Sequence, residues 1–214
     1  MSETTLPHLA RYYQWHAPLY DLTRWAFLFG RSRMIKSVAR HASPKRILEI
    51  GCGTGTNLAN LAVAFPNAEI LGVDLSESML SKAQGKVKKH GPRVAVMHHE
   101  YRGPIPGQDP FDLILVSYCL SMINPGLEHV LELCREDLQP LGHVAVVDFH
   151  MSKAGWFRNW MRLNHVRLDG QVLRALELCA LTEVRCEVRE AYGGLWNYIC
   201  YLGRKEDESI ARVS

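Results

Sequence analysis

The segment Leu48-Glu49-Ile50-Gly51-Cys52-Gly53-Thr54-Gly55 constrains this chain more than any other. An apolar strand candidate, Arg46–Ile50, runs into three glycines at alternate positions, and a helical pattern opens at Thr56. Glycine lets the main chain turn sharply and lets a ligand approach it closely. Strand, glycine turn and helix in that order build a ligand site at the first switch point of a parallel sheet. The alternative is a structural turn with no ligand.

The rest of the chain keeps the same rhythm. Glu69–Val73 reads as a second strand, and Ser76–His90 as a helix capped by Ser76 and ending in Lys86, Lys88 and Lys89, which suit the negative end of its dipole. Arg93–Met97 and Phe111–Val116 are further strand candidates. Asn124-Pro125 is expected to open a helix, with asparagine as cap and proline in the first turn, before a strand at Gly142–Phe149. Two amphipathic helices, about Gly155–Leu168 and Gln171–Cys179, then precede strands at about Leu181–Arg189 and Trp196–Gly203. The short Glu190–Leu195 connection requires those two to pair antiparallel. The expected fold is α/β: one Rossmann-like, doubly wound domain, with a mostly parallel seven-stranded sheet whose last strand is antiparallel. Residues 1–44 are expected to form an N-terminal helical lid, 45–150 a ligand-binding core, and 151–214 the acceptor-side helices and final strands.

The residues around the glycines describe the ligand. A dinucleotide fingerprint would place glycine at 56, where Thr56 stands, and Glu49 would oppose a pyrophosphate. A carboxylate there suits a cation. Asp74, at the end of Leu71-Gly-Val-Asp74, can accept both hydroxyls of a ribose. An adenosine ligand with a positive charge and no phosphate fits this set, and S-adenosylmethionine is such a molecule.

With these motifs the chain resembles the class I S-adenosylmethionine-dependent methyltransferases along nearly its whole length. The resemblance implies that Glu49, Gly51, Gly53 and Gly55 face the methionine end of the cofactor, that Asp74 holds the ribose, and that Leu75 and Met79 flank the adenine. Glu100 would take the place of the adenine-binding acid after the third strand, although His98-His99-Glu100-Tyr101 departs from the usual Gly-Asp pair. Ser117 and Tyr118 would lie near the reacting methyl, and Tyr20, Arg24 and Tyr101 would complete the cofactor set.

The acceptor is suggested by the ends of the chain. The stretch from Tyr12 to Arg31, together with Asn164–Gly170 and Ala191–Tyr198, looks like the bacterial diacylglyceryl-homoserine N-methyltransferases, which add three methyls to one amine to give a betaine lipid. That resemblance implies an amine acceptor on a lipid, made by an aminocarboxypropyl transferase. Ring faces suit a quaternary ammonium, which cannot donate a hydrogen bond. Tyr13, Tyr118, Tyr192, Trp196 and Tyr198 are the aromatic candidates, and each could equally be a packed core ring. Arg24, Arg31 and Arg167 could grip the homoserine carboxylate as planar forks, or serve as surface ion pairs. His165, His150 and Tyr198 are candidate bases that the sequence does not rank.

In Gly155–Leu168, Trp156, Trp160 and Leu163 form an apolar stripe beside Arg158, Arg162 and His165. Such a helix suits an anionic membrane surface, and it could also simply cover the cofactor. Charge is divided in the same sense. Residues 1–46 hold eight basic and two acidic side chains (net +6), residues 47–150 seven and twelve (net −5), and residues 151–214 ten and eight (net +2).

The six cysteines show no CxxC pair or zinc-like spacing, so no metal is expected. Met-Ser-Glu-Thr-Thr-Leu-Pro-His lacks the charged and apolar regions of a signal peptide. No apolar run reaches the roughly 18–20 residues of a membrane span. The expected setting is a reducing cytoplasm, with peripheral contact at the inner face of the membrane. Rival readings are a small-molecule or quinone O- or C-methyltransferase, and a non-catalytic adenosyl-binding regulator. Nucleic acid is not expected, because Ser117-Tyr-Cys-Leu120 is unlike the Asn-Pro-Pro-Tyr tetrapeptide used on flipped bases.

Overall fold

A computed structural model describes residues 27–207. Among them one seven-stranded sheet runs in the order β3-β2-β1-β4-β5-β7-β6. The strands are β1 (Arg46–Ile50), β2 (Glu69–Asp74), β3 (Val94–His98), β4 (Phe111–Ser117), β5 (Leu138–Phe149), β6 (Thr182–Ala191) and β7 (Trp196–Arg204). The first five are parallel, while β7 is antiparallel to both β5 and β6. Central strands β1 and β4 are buried along almost their whole length, as parallel strands covered on both faces must be.

The covering helices are α1 (Arg31–His41), α2 (Thr56–Ala64), α3 (Glu77–Val87), α4 (Leu127–Glu136), α5 (Gly155–Leu163) and α6 (Gln171–Leu178). One face buries Met34 and Val38 of α1, Leu58 and Leu61 of α2, and Phe157 and Met161 of α5 against Leu113, Ala145 and Val147 of the sheet. The other buries Leu127 and Leu131 of α4 and Val172 and Leu176 of α6 against Ile114, Val116 and Val146.

Ser76 caps α3 as expected, its Oγ accepting from the Met79 amide at 3.4 Å. Several boundaries differ from expectation. Asn124-Pro125 does not open α4: that peptide is cis, and Gly126 (φ 107°) is the residue before the helix. Strand β5 begins at Leu138, not Gly142, because its pairing with β4 jumps from Phe111↔Leu138 to Leu113↔His143 and loops out the intervening residues. Helix α5 stops at Leu163. His165 then takes a left-handed turn (φ 61°), its amide donating to the Arg162 carbonyl and that of Val166 to the Met161 carbonyl.

Of the lid expected over residues 1–44, the described helix α1 lies on a sheet face, against β5, β7 and α2. Tyr13, Tyr20 and Arg24 lie outside the described residues. No helix among the described residues is long and apolar enough to cross a membrane.

Candidate functional site

The strand order reverses between β1 and β4, so a crevice opens beyond their carboxyl ends. The glycine loop closes the first of these ends. Amides of Gly51 and Cys52 both donate to the Val73 carbonyl, at 2.9 and 3.0 Å, and Gly55 donates to the Cys52 carbonyl at 3.0 Å. Gly51, Gly53 and Gly55 all have positive φ, a region where a side chain is strained. Gly55 is also held by space, since a Cβ there would lie 2.9 Å from that of Ala83.

Asp74 fixes the loop from β2. Its Oδ2 accepts from the Gly53 amide at 2.8 Å and its Oδ1 from the Ser76 amide at 2.9 Å. A carboxylate has about four acceptor positions, so this leaves capacity for ligand hydroxyls. Leu75 is exposed beside it, while Met79 is buried in the first turn of α3.

Glu49 is 1% exposed on β1. Its Oε1 accepts from Asn57 Nδ2 at 2.8 Å, and its Oε2 has no hydrogen-bond partner among the described residues. Burial pushes its carboxyl up to about 8, against the lowering effects of Asn57 and of the nearby Arg31 guanidinium. A buried carboxylate oxygen without a donor fits a cationic ligand group.

The turn after β4 forms the opposite wall. Ser117 is buried at the strand end, and Cys119 comes so near the glycine loop that a Cβ on Gly51 would lie 3.0 Å from its sulfur. Asp148, fully buried on β5, organises this turn: its Oδ2 accepts from the amides of Cys119 at 3.1 Å and Ser121 at 3.2 Å. Burial pushes its carboxyl up to about 6, against these bonds. Sequence reasoning missed Asp148. The available signal was one acid inside the apolar run Val144-Ala-Val-Val-Asp148-Phe149. Tyr118 is buried, edge-on to Phe149, and its hydroxyl donates to the Phe29 carbonyl at 2.7 Å. Its ring is therefore a strut between the turn and the segment before α1, and not an open face for a cation.

Other expected residues are placed elsewhere. Tyr101 does not reach the crevice with its hydroxyl, which donates to the Leu133 carbonyl and to Asp137 Oδ2. Asp137 stands at the amino ends of β4 and β5, on the opposite side of the sheet from the glycines. Glu100 is ion-paired with Arg102 at 2.8 Å. Arg167 is not open to a ligand carboxylate, because Asp169 occupies its Nε and Nη2. Arg31 bonds the Leu28 carbonyl and bears electrostatically on Glu49 and Tyr118, which sets it on the cofactor side.

Trp196 is 1% exposed, enclosed by Phe27, Phe157 and Tyr192 with ring centroids 4.9–5.2 Å away. It is the centre of a packed aromatic cluster and not a cage wall. Tyr198 is buried against Phe29 and borders a cleft of about 420 Å³ between the start of α1 and α2. Tyr192 alone among the aromatic acceptor candidates within the described residues is exposed. His165 is exposed at the end of α5. His150, just beyond β5, has a buried Nδ1 without a hydrogen-bond partner among the described residues, and burial together with Arg174 lowers its pKa, which favours the neutral ring. Among the described residues no cluster of three metal-binding side chains occurs.

A family model described as a methyltransferase domain matches residues 47–142, the span from β1 into β5. Residues 47–142 therefore form a methyltransferase domain, the part of the chain that the family match covers. The chain is 27% identical over 164 residues to a ubiquinone/menaquinone biosynthesis C-methyltransferase of Syntrophotalea carbinolica, covering 73% of this chain and 69% of that one. It is 30% identical over 146 residues to the demethylmenaquinone methyltransferase of Thermus thermophilus, covering 66% of each. The N-methyltransferase NodS of Bradyrhizobium japonicum, solved with S-adenosyl-L-homocysteine, shares the fold with TM-score 0.68 at 18% identity, covering 83% of this chain and 86% of that one. The chain spans only 26% and 24% of the length of two further curated relatives.

Proposed function

We propose that the protein methylates an amine, and that the amine is the headgroup nitrogen of a diacylglyceryl-homoserine, which takes up to three methyls. The single observation carrying the methyl-donor half of this reading is the unpaired, buried Oε2 of Glu49 beneath the glycine loop. S-adenosylmethionine, when bound, supplies an electrophilic methyl. In our reading Glu49 takes the cofactor's ammonium and Arg31 its carboxylate, a pairing of opposite charges on a zwitterion. Asp74 takes the ribose, and Leu75 lies along the adenine. Met79 and Glu100 keep the same expected neighbourhood, with Glu100 reaching the adenine only by exchanging its Arg102 partner.

The chain's own contribution is alignment and exclusion of water, worth roughly 7–11 kcal/mol for well-oriented reactants. Ser117 and the Asp148-braced turn face the transfer point, and the rings of Phe29, Tyr192 and Tyr198 offer an apolar wall for a methylated nitrogen. Each round needs a neutral amine. Of the three candidate bases, His150 has its pKa lowered by burial, which favours the neutral, proton-accepting form. Tyr118 keeps its proton, since burial and the Asp148 charge hold its phenol well above its usual range. Residues 1–214 are read as a single domain, and an aminocarboxypropyl transferase would supply the acceptor.

A second reading has specific support. Two relatives, matched over 73% and 66% of the chain, are named as quinone-pathway methyltransferases, which favours a reduced quinone with a carbon acceptor. The experiment is incubation with methyl-labelled S-adenosylmethionine and liposomes carrying diacylglyceryl-homoserine or a demethylated quinol, read by lipid mass spectrometry. Mono-, di- and trimethylated homoserine lipid is the expected product. Label on the quinol alone would replace the amine reading with the second one.

A further inference from the structure

Helix α5 turns the wrong side outward for a helix that only packs on the protein. Phe157 and Met161 fill its buried face, yet Trp156, Trp160 and Leu163 remain 68%, 46% and 79% exposed. The rings continue beyond the helix. Trp160 lies 6.0 Å from Phe27, and Phe29 meets the 58% exposed Tyr192 edge-on at 5.4 Å. A run of exposed large apolar side chains on one surface marks an interaction site, whereas scattered ones would not.

Charge around this surface is predominantly positive. Residues 149–168 contain Lys153, Arg158, Arg162 and Arg167 and no acid, and residues 27–48 contain six lysines and arginines and no acid. Exposed Arg33, Lys36 and Arg40 of α1 lie on the same sheet face as α5. Arg167 is paired with Asp169 and Arg158 is bonded to the Ser152 carbonyl, so Lys153, Arg162 and the α1 cations carry the positive field. On β6, Glu187 is held between Arg185 and Arg189, which leaves that group net positive, and Glu190 follows Arg189.

We propose that the outward face of α5, with Phe29 and Tyr192 beside it, docks on an anionic lipid bilayer. Tryptophan and tyrosine favour the boundary between headgroups and acyl chains, and basic residues beside them meet the anionic surface. This surface adjoins the crevice, because Tyr198 of β7, whose ring stacks on Phe29, pairs with Phe149 at the carboxyl end of β5. Docking would then turn the crevice toward the membrane. The inference stands on the surface itself and not on the acceptor's identity.

The test is co-sedimentation of the full chain with phosphatidylglycerol vesicles and with phosphatidylcholine vesicles. The wild-type protein should bind the anionic vesicles at least tenfold more tightly, and less so in high salt. The Trp156→Ser/Trp160→Ser protein should lose at least tenfold of that binding while its melting temperature and S-adenosylhomocysteine affinity stay unchanged. Leu163→Ser, a single change at a more exposed position, gives the same readout if the double variant fails to fold. Absence of vesicle binding by the wild type, or equal binding by the variants, overturns the proposal. So does a wild-type dimer, seen by light scattering, that these substitutions disperse, since the face would then be covered by a second copy. Cofactor affinity is read separately, so failure of docking is distinguishable from failure of the methyltransferase reading.

Discussion

Asn57 donates to one oxygen of Glu49 at 2.8 Å and leaves the other buried without a partner among the described residues. The carboxyl titrates near 8 because burial disfavours its charge, and a ligand cation would restore that charge. S-adenosylhomocysteine affinity should therefore rise about tenfold per pH unit from pH 6 toward 8 and then flatten, because ligand binding requires the ionised form. Glu49→Gln should remove that slope and weaken binding by about 10–100-fold, the worth of a charge-assisted hydrogen bond. Calorimetric titrations across pH check both.

Stability should move the other way. Burial raises the Glu49 and Asp148 carboxyls in the folded protein to about 8 and about 6, above their ordinary values of 4.5 and 3.8. A raised carboxyl binds more protons folded than unfolded between its two values. Stability is therefore highest at the acid end of each window and falls as pH rises, from about 3.8 to 6 for Asp148 and from about 4.5 to 8 for Glu49. The loss is at most about 1.4 kcal/mol per pH unit for each group while it titrates. Urea denaturation at pH 6 and pH 8 should show the decline from Glu49, and saturating S-adenosylhomocysteine should reduce it.

Asp148→Ala should leave the amides of Cys119 and Ser121 without their shared acceptor. A loss of about 2–4 kcal/mol is expected from denaturation midpoints, since one side chain removes several charge-assisted bonds. Acceptor KM should rise more than cofactor KM if the turn faces the acceptor as proposed.

Tyr118→Phe removes the bond to the Phe29 carbonyl and keeps the ring on Phe149. It should cost about 1–2 kcal/mol of stability and leave cofactor affinity within twofold, as measured by denaturation and calorimetry.

The parts of this molecule legible in the sequence are those fixed by local chemistry. Alternating apolar runs and helical patterns gave the strand succession, Ser76 announced its helix, and the glycines announced a turn whose positive φ angles only they tolerate easily. What stayed hidden depends on partners far along the chain. Asp169 claims Arg167 only in three dimensions, although two residues away, and Asp137 draws the Tyr101 hydroxyl to the opposite end of the sheet from 36 residues away. Trp196 could not be told from a cage residue until Phe27 and Phe157 closed over it from two other segments. Asn124-Pro125 carried a strong local signal for a helix start, and the chain instead delays α4 until after Gly126.

The most direct measurement is calorimetric titration of S-adenosylhomocysteine into the wild-type protein and into Asp74→Ala. One bound ligand per wild-type chain is expected. Asp74→Ala should bind at least tenfold more weakly, since it loses a ribose acceptor and also the anchor of the Gly53 amide, with the fold intact by circular dichroism. No binding by the wild type, or equal affinity in the two proteins, would contradict the assignment of the crevice between Glu49 and Asp74 to the cofactor.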